Sequence, residues 1–464
     1  MGFLEALLRA LRPAFTRQAT FGWFVVAFAG VVTRSEFFGV SSFVRALSLA
    51  PVYYPALLHF FHSSAWNAEG LYRCWQAWLI AQPVVDRSAG RIVLLGDHTK
   101  QPKDARRMPA VSTLHQDSET SSKPSFFRGH HWGCLSLLAQ AAGKRFSLPL
   151  WAEIHPEHAE DSRATRLVHV AEAIGQRIAE PLLLVLDAFF AVGPVFLAAA
   201  ASCGRLHVLT RAKKNVVAYR RAPTSRRPRR GRPRRYGKKL KLMKLFETQA
   251  GDFSRAKALV YQKKETVRFL VLDLIWKPAK GLVRFILIES SRGQMVLMSS
   301  DLTIKPLQAL ALYSARVRIE TIFHSLKNLL GALAYHFWSK YLAPASRRPA
   351  HGKAPPQTSS RPERTANTLA AIEKFMALHL LVLGALQLLA ATCADSVRHH
   401  ANCWLRTPTG AVPSDFVSRT ALANLLRANI RGLAKNAITE IIRRKQMPPQ
   451  RIREKSVAQK RKAA

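Results

Sequence analysis

Apolar residues recur at intervals of three and four through the first part of the chain. This spacing predicts amphipathic helices over residues 1–85. The first apolar stripe comprises Phe3, Leu4, Leu7, Leu8 and Leu11. Proline residues, Pro13 and Pro51 among them, interrupt the pattern and divide the region into several short helices.

Short apolar runs then predict a sheet with intervening helices. The predicted strands are Arg91–Leu95, Trp132–Leu138, Phe146–Ile154, Leu182–Leu186 and Leu206–Thr210, and the predicted helices are Ala164–Ala179 and Val195–Ala201. The run Leu182–Leu186 is apolar throughout, which is typical of a parallel strand buried on both faces. Residues 98–128 are polar and interrupted by prolines, and they predict a long loop.

A second group of strands follows, and then a helical region. Arg268–Trp276, Leu282–Glu289 and Gln294–Met298 predict strands, and residues 305–335 predict helix. Together these patterns predict an α/β core with a β-rich insertion, flanked by helical domains. The predicted divisions are 1–85 (helical), 86–211 and 297–345 (core), 212–296 (basic insertion), 346–366 (linker), 367–442 (helical) and 443–464 (basic tail).

The charge of the chain narrows the class of partner. Its 464 residues contain 71 Lys and Arg against 28 Asp and Glu, giving a formal net charge of +43. Such self-repulsion favours a polyanionic partner, with nucleic acid ahead of an anionic membrane surface. Five cysteines without a C-x-x-C pair argue against a zinc module and favour a reducing cytoplasm.

Three apolar stretches raise the alternative of a membrane protein. Gln18–Thr33 is short for a span, and Pro181–Gly204 contains a carboxylate at Asp187. Phe375–Cys393 is the best span candidate, but it contains a histidine and a glutamine. We interpret all three as buried or interface segments and expect no membrane partner; the last is either core or dimer interface.

The insertion carries a strongly basic arm. Residues 221–244 contain twelve basic residues and no acidic one. Arg229 and Arg230 precede a Gly-Arg-Pro core, which contains Arg232 and is similar to a minor-groove AT-hook. The composition favours the simpler interpretation of a non-specific phosphate-binding arm, and either interpretation predicts DNA binding.

A helical segment near residue 320 places a carboxylate among cations and a phenol. Tyr313, Arg316, Glu320 and Lys327 are separated by three, four and seven residues, so a continuous helix would present them on one face. By itself this pattern equally describes an ion-paired surface helix.

Two aspartates follow predicted strands. Asp97 comes after Arg91–Leu95, and Asp187 comes directly after Leu182–Leu186. In an open α/β sheet, residues just beyond the strand ends line the functional crevice. Each aspartate alone could equally form an Asx turn or cap a helix.

Together, the Asp–Asp–Glu pattern and the Tyr-x2-Arg-x3-Glu-x6-Lys spacing resemble the DDE transposases of bacterial and archaeal insertion sequences, in the branch that carries this spacing. Three other segments are similar to that branch: Gly96–Lys100, Phe127–Gly133 and Arg211–Asn215. The resemblance covers about residues 90–340. It implies a ribonuclease-H-like catalytic core with a β-strand insertion between the second Asp and the Glu.

The resemblance also implies the chemistry of the site. Asp97, Asp187 and Glu320 would be both the catalytic residues and the metal ligands, because carboxylates that converge without counter-ions repel one another and all-oxygen ligands suit two Mg²⁺ ions, or Mn²⁺. The resemblance implies that Tyr313, Arg316 and Lys327 bind DNA phosphates beside the cut, and it adds Arg211 and Lys213 from a similar segment. The composition of the basic arm adds Arg229, Arg230 and Arg232 to the predicted DNA-binding residues.

The sequence therefore predicts a cytoplasmic, nucleoid-associated transposase. We expect residues 1–85 to bind terminal inverted repeats, the catalytic residues to cleave and join these ends to target DNA, and the C-terminal helices to form a homodimer. The alternative is a catalytically inactive derivative that binds DNA and regulates transposition.

Overall fold

A computed structural model gives the arrangement of the chain. It describes residues 1–37, 39–87, 90–116, 125–155, 161–223, 234–260, 263–345, 357–402, 410–432 and 436–448. The predicted DNA-binding residues Arg229, Arg230 and Arg232 lie outside the described residues, as does most of the predicted basic tail.

The first region is helical, as its apolar spacing predicts. Its helices are α1 (Gly2–Leu11), α2 (Gln18–Thr33), α3 (Ser41–Ala46), α4 (Tyr54–His62) and α5 (Ala68–Ile80). The stripe on α1 is buried, with Leu7 and Leu11 fully inaccessible. Asn67 caps α5 by accepting a hydrogen bond of 2.7 Å from the amide of Gly70, which satisfies one free donor of the first turn.

The core alternates strands and helices. Its elements are β1 (Ile92–Pro102), β2 (Ser112–His115), β3 (Phe126–Ala141), β4 (Lys144–Ile154), α6 (Arg163–Ile178), β5 (Leu182–Val185), α7 (Gly193–Ala201) and β6 (Leu206–Arg211). β5 lies between β1 and β6 and is parallel to both, so the prediction of a buried parallel strand is confirmed. β3 runs antiparallel to β1 and to β4.

The predicted insertion continues the same sheet. Its elements are β7 (Val217–Arg221), β8 (Tyr236–Lys241), α8 (Leu245–Thr248), β9 (Ser254–Val260), β10 (Lys263–Trp276), β11 (Gly281–Ser290) and β12 (Gly293–Ser299). The strand order is β2-β3-β1-β5-β6-β12-β11-β10-β7-β8, with β4 paired to β3 and β9 paired to β10. Antiparallel pairing of β12 with β6 joins the two groups of strands, so the described strands form one mixed sheet.

Helices follow the sheet in the part of the chain that the structure describes. α9 (Pro306–Ala315) and α10 (Arg318–His324) precede a π-helical turn at Ser325–Leu329, and the C-terminal helices are α11 (Pro362–Thr392), α12 (Ala394–Ala401), α13 (Asp415–Arg431) and α14 (Ala437–Arg443). α11 begins inside the segment predicted as the linker 346–366. Pro362 occupies its first turn, where a missing amide costs no hydrogen bond.

α11 is the central helix of the flanking region. By length and composition it could cross a membrane, with a mean hydropathy of 1.9 over its most apolar window, yet 83% of that window is buried inside the fold. Gly384 permits close packing, because a Cβ atom there would lie 2.3 Å from the ring of Trp75. This burial favours the interpretation of a core helix over that of a membrane span.

The prediction of a long loop over residues 98–128 was wrong in part. β1 continues to Pro102, β2 occupies Ser112–His115, and β3 begins at Phe126. Pairing explains the difference, because β1 stays hydrogen-bonded to β3 as far as Pro102 after its parallel pairing with β5 has ended. The polar side chains of this extension do not alternate with apolar ones, so the sequence pattern gives no sign of a strand.

Candidate active site at the ends of the parallel strands

Asp97 lies where β1 loses one of its two neighbours. Parallel pairing with β5 ends at Leu95, whereas antiparallel pairing with β3 continues and places Asp97 opposite Cys134. The Asp97 side chain is 19% exposed, and its Oδ1 accepts a hydrogen bond of 2.7 Å from the amide of His98. The carboxylate therefore sits at the edge of a crevice in the sheet.

Asp187 follows the neighbouring strand β5. Its Oδ1 accepts a hydrogen bond of 2.9 Å from the amide of Phe189, so it caps the short 3-10 turn Ala188–Phe190. The Thr210 hydroxyl donates to the backbone carbonyl of Asp187 and ties it to β6. Asp187 thus caps a turn, which is one of the two roles that its position predicted. The turn holds its carboxylate beside that of Asp97 at the same edge of the sheet.

Glu320 lies on α10, but the helix that was predicted to present it is broken. The amides of Arg316, Ile319 and Glu320 each bond to the carbonyl three residues earlier, which tightens the backbone between α9 and α10. The π-helical turn then widens the segment that carries Lys327. The four spaced residues therefore lie on α9, in the connection between α9 and α10, on α10 and in the π-helical turn, and not on one continuous helical face.

Arg316 joins two of the three carboxylates. Its Nη1 donates to Asp97 Oδ2 at 3.0 Å, and its Nη2 donates to Glu320 Oε1 at 3.1 Å. We expected the carboxylates to converge without a counter-ion, and this was wrong for Asp97 and Glu320. Sequence spacing could indicate the contact with Glu320, four residues away, but not the contact with Asp97 across the fold.

Burial dominates the electrostatics of Asp97. It raises the pKa of this carboxyl to about 6, against the lowering effects of the His98 amide and the Arg316 charge. The charges of Asp187 and Glu320 raise it further, so the three carboxyl groups influence one another. Burial and neighbouring like charges both penalise an isolated carboxylate, and an added cation would relieve that penalty.

The remaining predicted DNA-binding residues occupy different surroundings. Tyr313 is 6% exposed and packs in a core cluster with Ile319, so its ring is not presented at the surface. Lys327 is half-buried beside Asp97 and Asp187, and burial lowers the pKa of its ammonium. Arg211 ends β6, and Lys213 follows in a turn; both are exposed.

A cavity of about 760 Å³ opens beside Asp97, Asp187 and Lys327. Its described walls also include residues that we did not predict as site residues: His98, Lys100, Phe127, His131, Arg163, Phe189 and Phe190. Arg211 and Lys213 are not among these wall residues. Several of these wall residues belong to the segments Gly96–Lys100 and Phe127–Gly133. The pairing of β1 with β3 brings the two segments together and places Lys100 opposite His131.

Two of the wall residues are histidines in contact. The rings of His98 and His131 meet edge to face at 4.8 Å, and His98 also stacks on Phe190 at 5.2 Å. Burial lowers the pKa of His98 to about 3 and that of His131 to about 2, and neighbouring positive charges, including that of Arg163, add to the effect. Both imidazoles are neutral near pH 7, so the positive charge of this wall comes from Lys100, Arg163 and Lys327.

The three carboxylates fit a divalent metal by their chemistry. Asp97, Asp187 and Glu320 offer only oxygen ligands, which Mg²⁺ and Mn²⁺ prefer. Within the described part of the chain, no three His, Cys, Asp or Glu side chains are already arranged to hold one metal ion. Arg316 pairs with one oxygen of Asp97 and with one of Glu320.

Comparison with known proteins identifies the family. The sequence profile described as "Transposase DDE domain" matches residues 104–337, a range that contains Asp187 and Glu320 and begins after Asp97. The chain belongs to this family. The match supports the resemblance to DDE transposases but does not distinguish the branch.

Other comparisons add little. No protein of curated function matches the chain. Among solved structures, the cryo-EM structure of a piggyBac transposase synaptic complex with hairpin DNA is similar, with 10% sequence identity and a TM-score of 0.35, over 94% of this chain and 77% of that one. A similarity this remote carries no argument about mechanism.

Proposed function

We propose that this protein is an active DNA transposase, which binds the ends of an insertion sequence, cleaves them and transfers them to target DNA. One observation carries the proposal. Asp97 lies just past the part of β1 that pairs with β5, Asp187 follows β5, and Arg316 joins Glu320 to Asp97, so the chain brings together three carboxylates from distant sequence positions. The family match and the formal charge of +43 agree with a DNA substrate.

We also propose that the catalytic core has a ribonuclease-H-like fold. The order β4-β3-β1-β5-β6 supports this, with β1, β5 and β6 parallel and with β3 antiparallel to both β1 and β4. Strands β7–β12 would then be the insertion between Asp187 and Glu320. Because β12 pairs with β6, the insertion would extend the core sheet and would not form a separate unit.

In this proposal Asp97, Asp187 and Glu320 hold two Mg²⁺ ions. When bound, such ions stabilise phosphoryl charge and activate the attacking water or 3′-hydroxyl. Attack at phosphorus forms one P–O bond and breaks the bond to the leaving 3′ or 5′ oxygen, so no covalent protein intermediate is needed.

The cavity wall would position the DNA strand. Lys327, Lys100 and Arg163 present positive charge beside Asp97 and Asp187, where backbone phosphates would lie. Phe189 adjoins Asp187 and is 54% exposed. Its ring offers an apolar surface to the sugar or base next to the cut. His98 and His131 are neutral, so they would shape the wall without acting as cations.

The flanking helices would supply the remaining functions. We assign binding of terminal inverted repeats to residues 1–85 and homodimer formation to the C-terminal helices, and we place the protein in the nucleoid. The four residues Tyr313, Arg316, Glu320 and Lys327 favour the branch of the family that carries this spacing. Burial of Tyr313 gives that residue a packing role in this arrangement in addition to any DNA contact.

Cleavage of the element's own terminal DNA with Mg²⁺ tests the proposal. Asp97→Ala, Asp187→Ala and Glu320→Ala should each abolish cleavage and leave binding of end DNA largely intact, because metal ligands act as one unit. Asp273→Ala is the matched control, since Asp273 is a carboxylate on β10 that pairs with Arg284 at 2.8 Å. End binding without cleavage by the unaltered protein would favour the alternative of an inactive regulatory derivative.

A further inference from the structure

Arg316 holds one oxygen of each of two carboxylates. Its two terminal nitrogens lie 3.0 Å from Asp97 Oδ2 and 3.1 Å from Glu320 Oε1. The guanidinium and Asp97 are both largely enclosed, at 18% and 19% side-chain exposure. A planar guanidinium can donate in two directions at once, so one side chain links two groups that would otherwise repel.

The other oxygen of Asp97 is also engaged. Oδ1 accepts from the amide of His98, and Oδ2 accepts from Arg316. In the neighbouring carboxylate, Asp187 Oδ1 accepts a hydrogen bond from the amide of Phe189. A divalent ion held by Asp97 and Glu320 would compete with the guanidinium for the oxygens that it now bonds.

We propose that Arg316 is a displaceable cation, which keeps the carboxylates paired until metal and DNA are both present. This inference rests on the proposed function and adds a regulatory step to it. Arg316 would leave Asp97 and Glu320 when a DNA phosphate offers its guanidinium a new partner. The oxygens released in this way then become free to hold metal.

Thermodynamic linkage gives the proposal a measurable form. Metal that must displace Arg316 loses part of its binding energy to the two broken hydrogen bonds. A phosphate that draws Arg316 away removes this competition, so DNA and metal should each tighten the binding of the other. Cutting would then be confined to protein that has already bound DNA.

The direct test measures Mn²⁺ binding to the full-length protein without DNA. The electron paramagnetic resonance signal of free Mn²⁺ reports how much Mn²⁺ is bound. Arg316→Ala should bind Mn²⁺ about ten-fold more tightly than the unaltered protein, because two charge-assisted hydrogen bonds no longer compete. The Mn²⁺ affinity of Arg316→Lys should lie between those of the unaltered protein and Arg316→Ala, since a single ammonium cannot span both carboxylates in the same way.

Two controls separate displacement from a general change in charge. Lys327→Ala removes a cation from the same cavity without removing the bridge, and it should tighten Mn²⁺ binding by no more than about three-fold. Arg318→Ala removes a cation two residues away and should leave binding unchanged. Equal gains for Lys327→Ala and Arg316→Ala would overturn the proposal in favour of bulk electrostatics.

A second experiment, with DNA added, tests the role that the proposal gives to phosphate. Adding a short duplex of arbitrary sequence should tighten Mn²⁺ binding by the unaltered protein more than by Arg316→Ala, because the variant has no guanidinium to withdraw. Equal tightening in both proteins would contradict the role given to phosphate. Unfolding curves establish whether each variant is folded. If Arg316→Ala does not fold, the unaltered protein is compared with Arg316→Lys instead.

The outcomes also distinguish this proposal from the proposed function. If the unaltered protein binds Mn²⁺ and Asp97→Asn loses it, but Arg316→Ala gains nothing, only the displacement proposal fails. If neither the unaltered protein nor Arg316→Ala binds Mn²⁺, and Asp97→Asn makes no difference, the metal site fails and both proposals fall.

Discussion

Arg419 on α13 donates a hydrogen bond of 2.7 Å to the carbonyl of Leu329, the last residue of the π-helical turn. Arg34, which follows α2, donates to the carbonyls of Leu330 and Gly331 just beyond it. The last carbonyls of a helical segment lack partners within it, and cations satisfy them well. The N- and C-terminal helices thus both hold the end of the segment that carries Glu320.

This arrangement predicts a large loss of stability for Arg419→Met. The variant keeps much of the apolar volume but removes the donors that Arg419 gives to Leu329 and to the carbonyls of Val32 and Arg34. Leaving buried carbonyls without donors should lower the free energy of unfolding by about 2–3 kcal/mol.

Urea denaturation at neutral pH measures this change. Arg431→Met is the control, because Arg431 is exposed at the end of the same helix and should change stability by less than about 0.5 kcal/mol. Equal effects of the two substitutions would mean that the carbonyl contacts of Arg419 contribute nothing particular.

Lys374 on α11 predicts a pH-dependent stability. It is 5% exposed, its ammonium donates a hydrogen bond of 2.7 Å to the carbonyl of Ser63, and burial lowers its pKa to about 8. The unfolded chain keeps the ordinary pKa of 10.5. Between these two values the unfolded state binds more protons than the folded state, so stability rises with pH and is lost as pH falls through about 8.

Comparison with Lys374→Met isolates this contribution. From about pH 7 to about pH 10, the free energy of unfolding of the unaltered protein should rise by about 2 kcal/mol relative to the variant. Urea denaturation of both proteins at matched pH values measures the difference. A difference that stays constant, or that falls with pH, would show that Lys374 is not held in a buried charged state.

Much of the core could be predicted from the sequence, because its strands are buried and apolar. The run Leu182–Leu186 predicted a parallel strand, and the positions of Asp97 and Asp187 after such runs predicted that they lie at the same sheet edge. Both expectations follow from local pattern together with one general rule for α/β sheets.

The remainder depends on contacts between distant residues. The extension of β1 to Pro102 is polar because it borders the cavity, and only its pairing with β3 makes it a strand. The contact of Arg316 with Asp97, and the position of Arg163 in the cavity wall, join residues far apart in sequence. The break before α10 arises from hydrogen bonds to the third preceding carbonyl, which helical spacing alone does not reveal.

The basic arm predicts steep salt dependence of DNA binding. Its residues lie outside the described part of the chain, and the prediction rests on the sequence Arg226–Arg235. Changing Arg226, Arg227, Arg229 and Arg230 to Gln should flatten the slope of log affinity against log salt by about 3–4, since each phosphate contact contributes about 0.9.

Titration of a fluorescent DNA duplex at several salt concentrations measures this slope. Changing Pro228 and Pro233 to Ala is the control, because it alters the same arm without changing its charge. An unchanged slope in the four-arginine variant would mean that the arm does not touch DNA phosphates.

Lys327 and Arg318 form the sharpest pair for a test of the cavity. Lys327 lies in the π-helical turn and lines the cavity beside Asp97 and Asp187. Arg318 begins α10 and instead lines a separate groove of about 830 Å³ with Lys144 and Arg145, to which none of the three carboxylates contributes. The two cations are close in sequence but serve different surfaces.

We therefore expect Lys327→Ala to slow cleavage of end DNA by about 10²-fold while Mn²⁺ binding is kept, because a cation aimed at developing phosphate charge acts mainly in the transition state. Arg318→Ala should change the rate by less than about two-fold, as is usual for a surface substitution away from the reacting atoms. Single-turnover cleavage, with the cut sites mapped on a sequencing gel, measures both rate and position for the two variants. If Arg318→Ala were the more damaging and Lys327→Ala cut at the normal rate, the DNA strand would run through the groove of Arg318, and the cavity beside Asp97 would lose its assignment as the place of cutting.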